Sequence, residues 1–193
     1  RLRIVSSYIS GAYKLDPFYL NCVSQAEAGL YRLRSLAPDH FSRSDYYRTY
    51  YKQIGIVDEL GYFVKLEADT YAVISLGKYR SGGEFSKRAF DDLIEVEPVV
   101  RSSAARNWRS LSMQVPIMQD PPSDLFEQIT EREREIALMV LRGYSSEAIA
   151  LNFGISRQTV KVHRRNIYAK LRISSATELF HLYMTTVVRP ADV

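Results

Sequence analysis

Between Ser156 and Arg172 stand Arg157, Lys161, Arg164, Arg165, Lys170 and Arg172, and no acidic residue interrupts them. Guanidinium and ammonium groups strung along one element are the electrostatic footprint of a surface that meets phosphates. On a helix turning about 100° per residue, Ile167, Leu171 and, at the edge, Arg164 fall within about 40° of Val160 and form a core stripe. The opposite side carries Lys161, Arg165, Gln158, Ala169 and Val162. A solvated face has little use for Val162. A face entering the major groove does, because an aliphatic group touches a thymine methyl while Lys161 and Arg165 reach guanine acceptors. Lys161, Val162, Arg165 and Gln158 are therefore the candidate base contacts. Ser156, Arg157, Thr159, Arg164, Asn166 and Lys170 flank them as candidate phosphate contacts, which position a helix without reading sequence. A basic helix taken alone is as readily a solvated face, so the elements around it must decide.

Those elements are sharply marked. Thr130-Glu-Arg-Glu133 is a capping box, in which the threonine oxygen and the glutamate side chain satisfy backbone donors at a helix start. The helix should run to about Arg142 and close on Gly143. Ser146 is expected to cap a short helix, Glu147 to Asn152, ended by Gly154. Ser156 caps a third reaching about Leu171, and Ser175-Ala-Thr-Glu178 is a second capping box opening a fourth helix to about Thr186. Two short helices joined through Phe153-Gly154-Ile155 make a helix-turn-helix spanning about 144–163. Ile149 and Ile155 would pack beneath its turn.

Upstream the composition changes. Eleven of the 14 tyrosines lie between Tyr8 and Tyr79. Pro116, Pro121 and Pro122 crowd the segment 114–123 and favour an extended connector. The expected organisation is an N-terminal α+β domain over 1–113, a linker over 114–123 and an all-α domain over 124–189. In the first, Gly29 to Arg34 alternates like a strand, and Ser44 to Ile54 reads as a helix capped by Ser44 and ended by Gly55. Val57–Leu66 and Tyr71–Lys78 read as a hairpin turning at Glu67-Ala-Asp69, and Ser86 to Ser110 as a helix bending near Pro98. Apart from that alternation, Ala12 to Arg34 gives no clear signal.

The C-terminal residues resemble the LuxR-type (LuxR/FixJ) helix-turn-helix family. The resemblance rests on Thr130-Glu-Arg-Glu-Arg-Glu135, Gly143-Tyr-Ser, Glu147-Ala-Ile-Ala150, Gly154-Ile-Ser156, Thr159-Val-Lys-Val-His163, Asn166-Ile and Lys170-Leu171, within about Leu125 to Met184. It implies a bacterial transcriptional regulator whose partner is double-stranded DNA, with base contacts at Lys161, Val162 and Arg165, RNA polymerase as a further partner, and dimerisation through the fourth helix. Leu179, Leu182, Tyr183 and Thr186 would form that seam. Arg172 stands where the family usually has glycine, and Ala176 where it often has arginine. Sigma-factor region 4 has a similar motif, but Lys161-Val-His163 and the capped fourth helix favour the LuxR type.

The N-terminal order of strand, helix, hairpin and long helix resembles a GAF- or PAS-like sensor module. A phosphoreceiver is not expected, because the paired acids Asp91-Asp92 lie in a helical stretch. The lactone sensors of the family use a tryptophan-and-tyrosine pocket with an aspartate. Tyr46, Tyr50 and Asp58 stand in a similar order and are the candidate ligand residues, but Trp108 lies elsewhere, so that lactone is not expected. The tyrosine ridges Tyr46/Tyr50 and Tyr47/Tyr51 serve core packing and an interface more readily than a small-molecule pocket.

Single Cys22 and scattered His40, His163 and His181 offer no disulfide framework and no metal cluster, so neither cofactor nor metal is expected. No nucleophile–base pair or phosphate-cradling glycine loop supports an enzyme. The longest apolar run, Ile136 to Leu141, is too short to span a bilayer, and no secretory signal is read; the expected location is the cytoplasm. The expectation is a homodimeric regulator with a dimerising, ligand-sensing first domain. The alternative is an interaction adaptor or anti-activator that kept the fold without reading DNA, and steep salt dependence of DNA binding separates the two.

Overall fold

The computed structural model describes residues 2–24, 26–67, 70–108 and 123–187. It divides into two compact units whose borders do not follow the order of the chain. One comprises Arg1–Asp16, Pro38–Tyr50 and Gln119–Val193, the other Pro17–Ala37 and Tyr51–Met118. The sequence placed everything before residue 113 in one domain; instead, two N-terminal segments fold with the C-terminal helices. Most of the expected linker, 114–122, lies outside the described residues, as do Ala68 and Asp69 of the expected turn.

The second unit is α+β. It holds α2 (Pro17–Val23), β1 (Gly29–Arg32), α3 (Leu33–Leu36), β2 (Ile56–Glu67), β3 (Thr70–Tyr79) and α5 (Lys87–Trp108), which continues through Pro98. The strands form an antiparallel sheet in the order β1-β2-β3. Leu30 faces Tyr62, and Tyr62 faces Ile74. Central β2 is buried without interruption from Asp58 to Val64, whereas edge strand β3 alternates. Both α5 and α3 pack on β2, so neither of its faces needs to be polar. Phe18 of α2 meets Phe63 edge-on at 5.5 Å. Gly61 makes room for that ring: a Cβ there would sit 3.0 Å from Phe18. Arg32 donates to the Phe85 carbonyl at 3.0 Å and stands 3.6 Å from the Asp58 carboxylate, which accepts the Phe85 N–H.

The first unit is all helical. It contains α1 (Leu2–Ile9), a 3-10 turn at Ala12–Leu15, and α4 (Asp45–Tyr47), which runs into a π turn at Arg48–Lys52. Its C-terminal part is α6 (Glu131–Arg142), α7 (Ser146–Phe153), α8 (Arg157–Leu171) and α9 (Ala176–Val187). Ile136, Ile149, Val160, Ile167, Leu179 and Tyr183 are at most 1% exposed and form its core. Ser44 caps α4 as expected, accepting the Tyr47 N–H at 3.1 Å. Tyr46 and Tyr50 lie 4.8 Å apart, and Tyr46 also packs on Phe41. No helix among the described residues is long and apolar enough to cross a membrane.

Candidate nucleic-acid interface

Local chemistry sets the helix ends. The Thr130 hydroxyl oxygen accepts the Glu133 N–H while the Glu133 carboxylate accepts the Thr130 N–H at 2.9 Å, so the capping box is complete. Gly143 ends α6 in the left-handed region, at φ 93°. One cap shifts by one residue, and one capping box closes on the preceding residue. Ser145, not Ser146, caps α7, accepting the Ala148 N–H at 3.0 Å, because Ser146 already has helical backbone. Ser175 does cap α9, accepting the Glu178 N–H, but the Glu178 carboxylate turns back to the N–H and hydroxyl of Ser174. Ser174 offers two donors there, and these hydrogen bonds hold the Glu178 carboxyl below its ordinary pKa.

Between α7 and α8 the chain turns at Gly154, φ 63°, and the Ile155 N–H donates to the Ala150 carbonyl. Ser156 then caps α8, accepting the Thr159 N–H at 3.0 Å. Buried Ile149 and half-buried Ile155 lie at the turn. Arg132 of α6 stacks on Phe153, its guanidinium carbon 3.7 Å from the ring centroid, and fixes α7 from behind.

The core stripe on α8 is Val160 and Ile167, with Leu171 half-buried. Lys161, Val162, Arg165 and Gln158 all face outward. Val162 is 37% exposed, and the polar three make no side-chain hydrogen bond or ion pair among the described residues. Ser146, Arg157, Lys161, Arg164 and Arg165 share one open hollow of about 700 Å³ along the helix.

The candidate phosphate residues divide. Arg157 is exposed, 3.9 Å from Glu147, and Asn166 is half-buried. Ser156 and Thr159 share a hydroxyl contact of 2.8 Å. Arg164 donates to the Ser146 hydroxyl and the Tyr168 phenol, which hold its fork at the edge of the face. The Lys170 side chain is 40% exposed, and its ammonium lies 2.7 Å from the Glu133 carboxylate, which is 4% exposed, so it also serves as that buried acid's partner. Burial by itself would raise the Glu133 pKa, but the bonds from Lys170 and Thr130 prevail and hold it low. His163 is half-buried, and no metal-holding group of His, Cys, Asp or Glu occurs among the described residues.

The expected α9 seam also changes. Leu179 and Tyr183 are fully buried within their own unit, and the Tyr183 phenol donates to the Gly11 carbonyl at 3.2 Å. Only Leu182 and Thr186 of the four remain half-exposed. The candidate ligand residues are likewise engaged structurally. Tyr50 bonds the Ser7 hydroxyl at 2.7 Å, Tyr46 is 1% exposed, and Asp58, in the other unit, faces Arg32 and the Phe85 N–H.

No local pattern marks a strap over residues 38–45 that docks on the corner between α6 and α7. The His40 N–H donates to the Gly143 carbonyl, and the Ser145 N–H donates to the Asp39 carboxylate, both at 2.9 Å. A Cβ on Gly143 would lie 2.8 Å from the Phe41 Cα. Burial would raise the Asp39 pKa, but the Ser145 bonds and the nearby His40 outweigh it and lower the pKa.

The sequence pattern of the bacterial regulatory proteins of the luxR family (GerE) matches residues 127–183, from just before α6 into α9. This segment is a LuxR-family helix-turn-helix domain. The HTH-type transcriptional regulator in the exeN 3'region of Aeromonas salmonicida is 27% identical over 187 residues, covering 90% of this chain and 95% of that protein. The transcriptional regulatory protein FixJ of Azorhizobium caulinodans is 30% identical over 112 residues, covering 56% of this chain and 50% of its own. The solved VqsR LBD domain from Pseudomonas aeruginosa is 28% identical at a TM-score of 0.47, over 51% of this chain and 58% of that one. The protein is a DNA-binding transcription regulator, and its LuxR-family domain presents α8 outward.

Proposed function

We propose that the protein is a dimeric, sequence-specific regulator that sets α8 into the major groove. Lys161, Val162, Arg165 and Gln158 read base edges, and Arg157, Thr159, Arg164 and Asn166 hold the backbone. The observation that carries this is the outward face of α8, where two cations and an amide without internal partners surround an exposed aliphatic side chain. A purely solvated helix gains nothing from Val162, whereas a thymine methyl does. Two such domains read half-sites about one helical turn apart.

The α+β unit supplies dimerisation and ligand sensing. Exposed Ile94, Val96 and Val99 on α5 support association. A groove of about 490 Å³ lined by Ile74, Val99, Val100, Ala104 and Trp108 supports an apolar ligand. RNA polymerase is the partner through which bound regulator acts, in the cytoplasm.

The test is selection of bound duplexes from a random pool, followed by binding at several salt concentrations. A repeated half-site and steep weakening with salt are expected. Lys161→Ala should lose about 1–3 kcal/mol of specific binding. An unenriched pool would refute sequence-specific binding.

A further inference from the structure

We propose that the strap contributes a DNA-backbone contact of its own, made by Arg43; this rests on the reading of α8 above. The strap covers a cavity of about 560 Å³ whose walls include Arg43, Arg157, Arg164 and Ser146. The hollow along α8 shares Ser146, Arg157 and Arg164 with it, and adds Lys161 and Arg165. The two hollows therefore adjoin through Ser146, Arg157 and Arg164, and link the base-reading residues to a guanidinium outside the matched domain.

The charges in the cavity favour Arg43. Three carboxylates also line it, and each already faces a donor. Asp39 accepts the Ser145 N–H, Asp45 pairs with Arg48 at 3.1 Å, and Glu147 stands 3.9 Å from Arg157. Arg43 is exposed and has no side-chain hydrogen bond or ion pair among the described residues. Its backbone is nonetheless fixed: its N–H donates to the His40 carbonyl at 2.9 Å, and the next residue caps α4. A guanidinium on an anchored loop matches two phosphate oxygens at once. A small anion would engage only this cavity, whereas a duplex on α8 presents successive phosphates to Arg164, Arg157 and Arg43. Double-stranded DNA is the occupant the arrangement fits.

The experiment uses the full chain and two duplexes, one selected by the wild-type protein and one unrelated, over a salt series. Arg43→Gln should weaken binding to both duplexes about eightfold near 0.1 M salt and shrink the log–log salt slope by about 0.9, the value of one phosphate contact. Preference between the duplexes should not change. Arg43→Lys, which keeps the charge, should restore the slope, and Arg34→Gln, in the other unit, should match wild type. Unchanged affinity and slope for Arg43→Gln would overturn the strap contact and leave the α8 reading intact. Tighter binding by Arg43→Gln would also overturn it, making the strap an obstacle. If the wild-type chain bound neither duplex, the proposed function would fall and this contact with it.

Discussion

Replacing Lys170 with methionine tests how the reading helix is held. The Glu133 carboxylate is 4% exposed and accepts from the Thr130 N–H, the Thr130 hydroxyl and the Lys170 ammonium, the last at 2.7 Å. Methionine keeps the apolar stem and removes only the charge. Stripping one partner from a buried carboxylate costs about 3–5 kcal/mol when both groups are buried. Lys170 is 40% exposed and Thr130 remains, so water recovers part of that, and about 1.5–2 kcal/mol is expected. For a unit near a hundred residues this is a fall in Tm of the order of 8 °C. The pH dependence adds a sharper test. The folded-state pKa of Glu133 lies below its ordinary value, so the pair contributes stability above the ordinary glutamate pKa and loses it as pH falls through the depressed folded value. Urea unfolding of both proteins, followed by circular dichroism at pH 7 and pH 3, should show a gap at neutrality that narrows in acid. A gap below about 0.5 kcal/mol at pH 7, or one that does not narrow at pH 3, would refute this reasoning.

Other outcomes follow from single contacts. Arg172 is the one described non-glycine residue with positive φ, 55°, so Arg172→Gly should raise stability by about 0.5–1 kcal/mol in the same unfolding assay. Gly143→Ala combines a left-handed backbone with a Cβ 2.8 Å from Phe41 Cα, and should cost more than about 2 kcal/mol by thermal unfolding. Gly61→Ala presses on the Phe18 ring and should destabilise the α+β unit by about 1–3 kcal/mol, with Trp108 fluorescence as the probe. Thr130→Ala removes the α6 cap and should cost about 1 kcal/mol.

The amino-acid order alone determined what depends on near neighbours. The capping box at Thr130, the left-handed stops at Gly143 and Gly154, and the start of α8 at Ser156 are each decided within four residues, and the structure has all of them. The outward face of α8 was equally legible, because helix periodicity separates Val160 and Ile167 from Lys161, Val162 and Arg165. Local pattern does not reach distant partners. Lys170 has the type and spacing of a phosphate contact, but folding brings Glu133, 37 residues away, within hydrogen-bonding distance. Leu179 and Tyr183 have the spacing of a seam, but the chain's own core buries them, and Gly11 takes the Tyr183 phenol. Only tertiary structure could bring Asp39 to Ser145 and His40 to Gly143, since both bonds join residues more than a hundred positions apart and carry no periodic signature. Short-range hydrogen bonds and periodic burial are written into consecutive residues. Which charge meets which carboxylate is decided by packing, and packing gave the LuxR-family domain a strap from the other end of the chain.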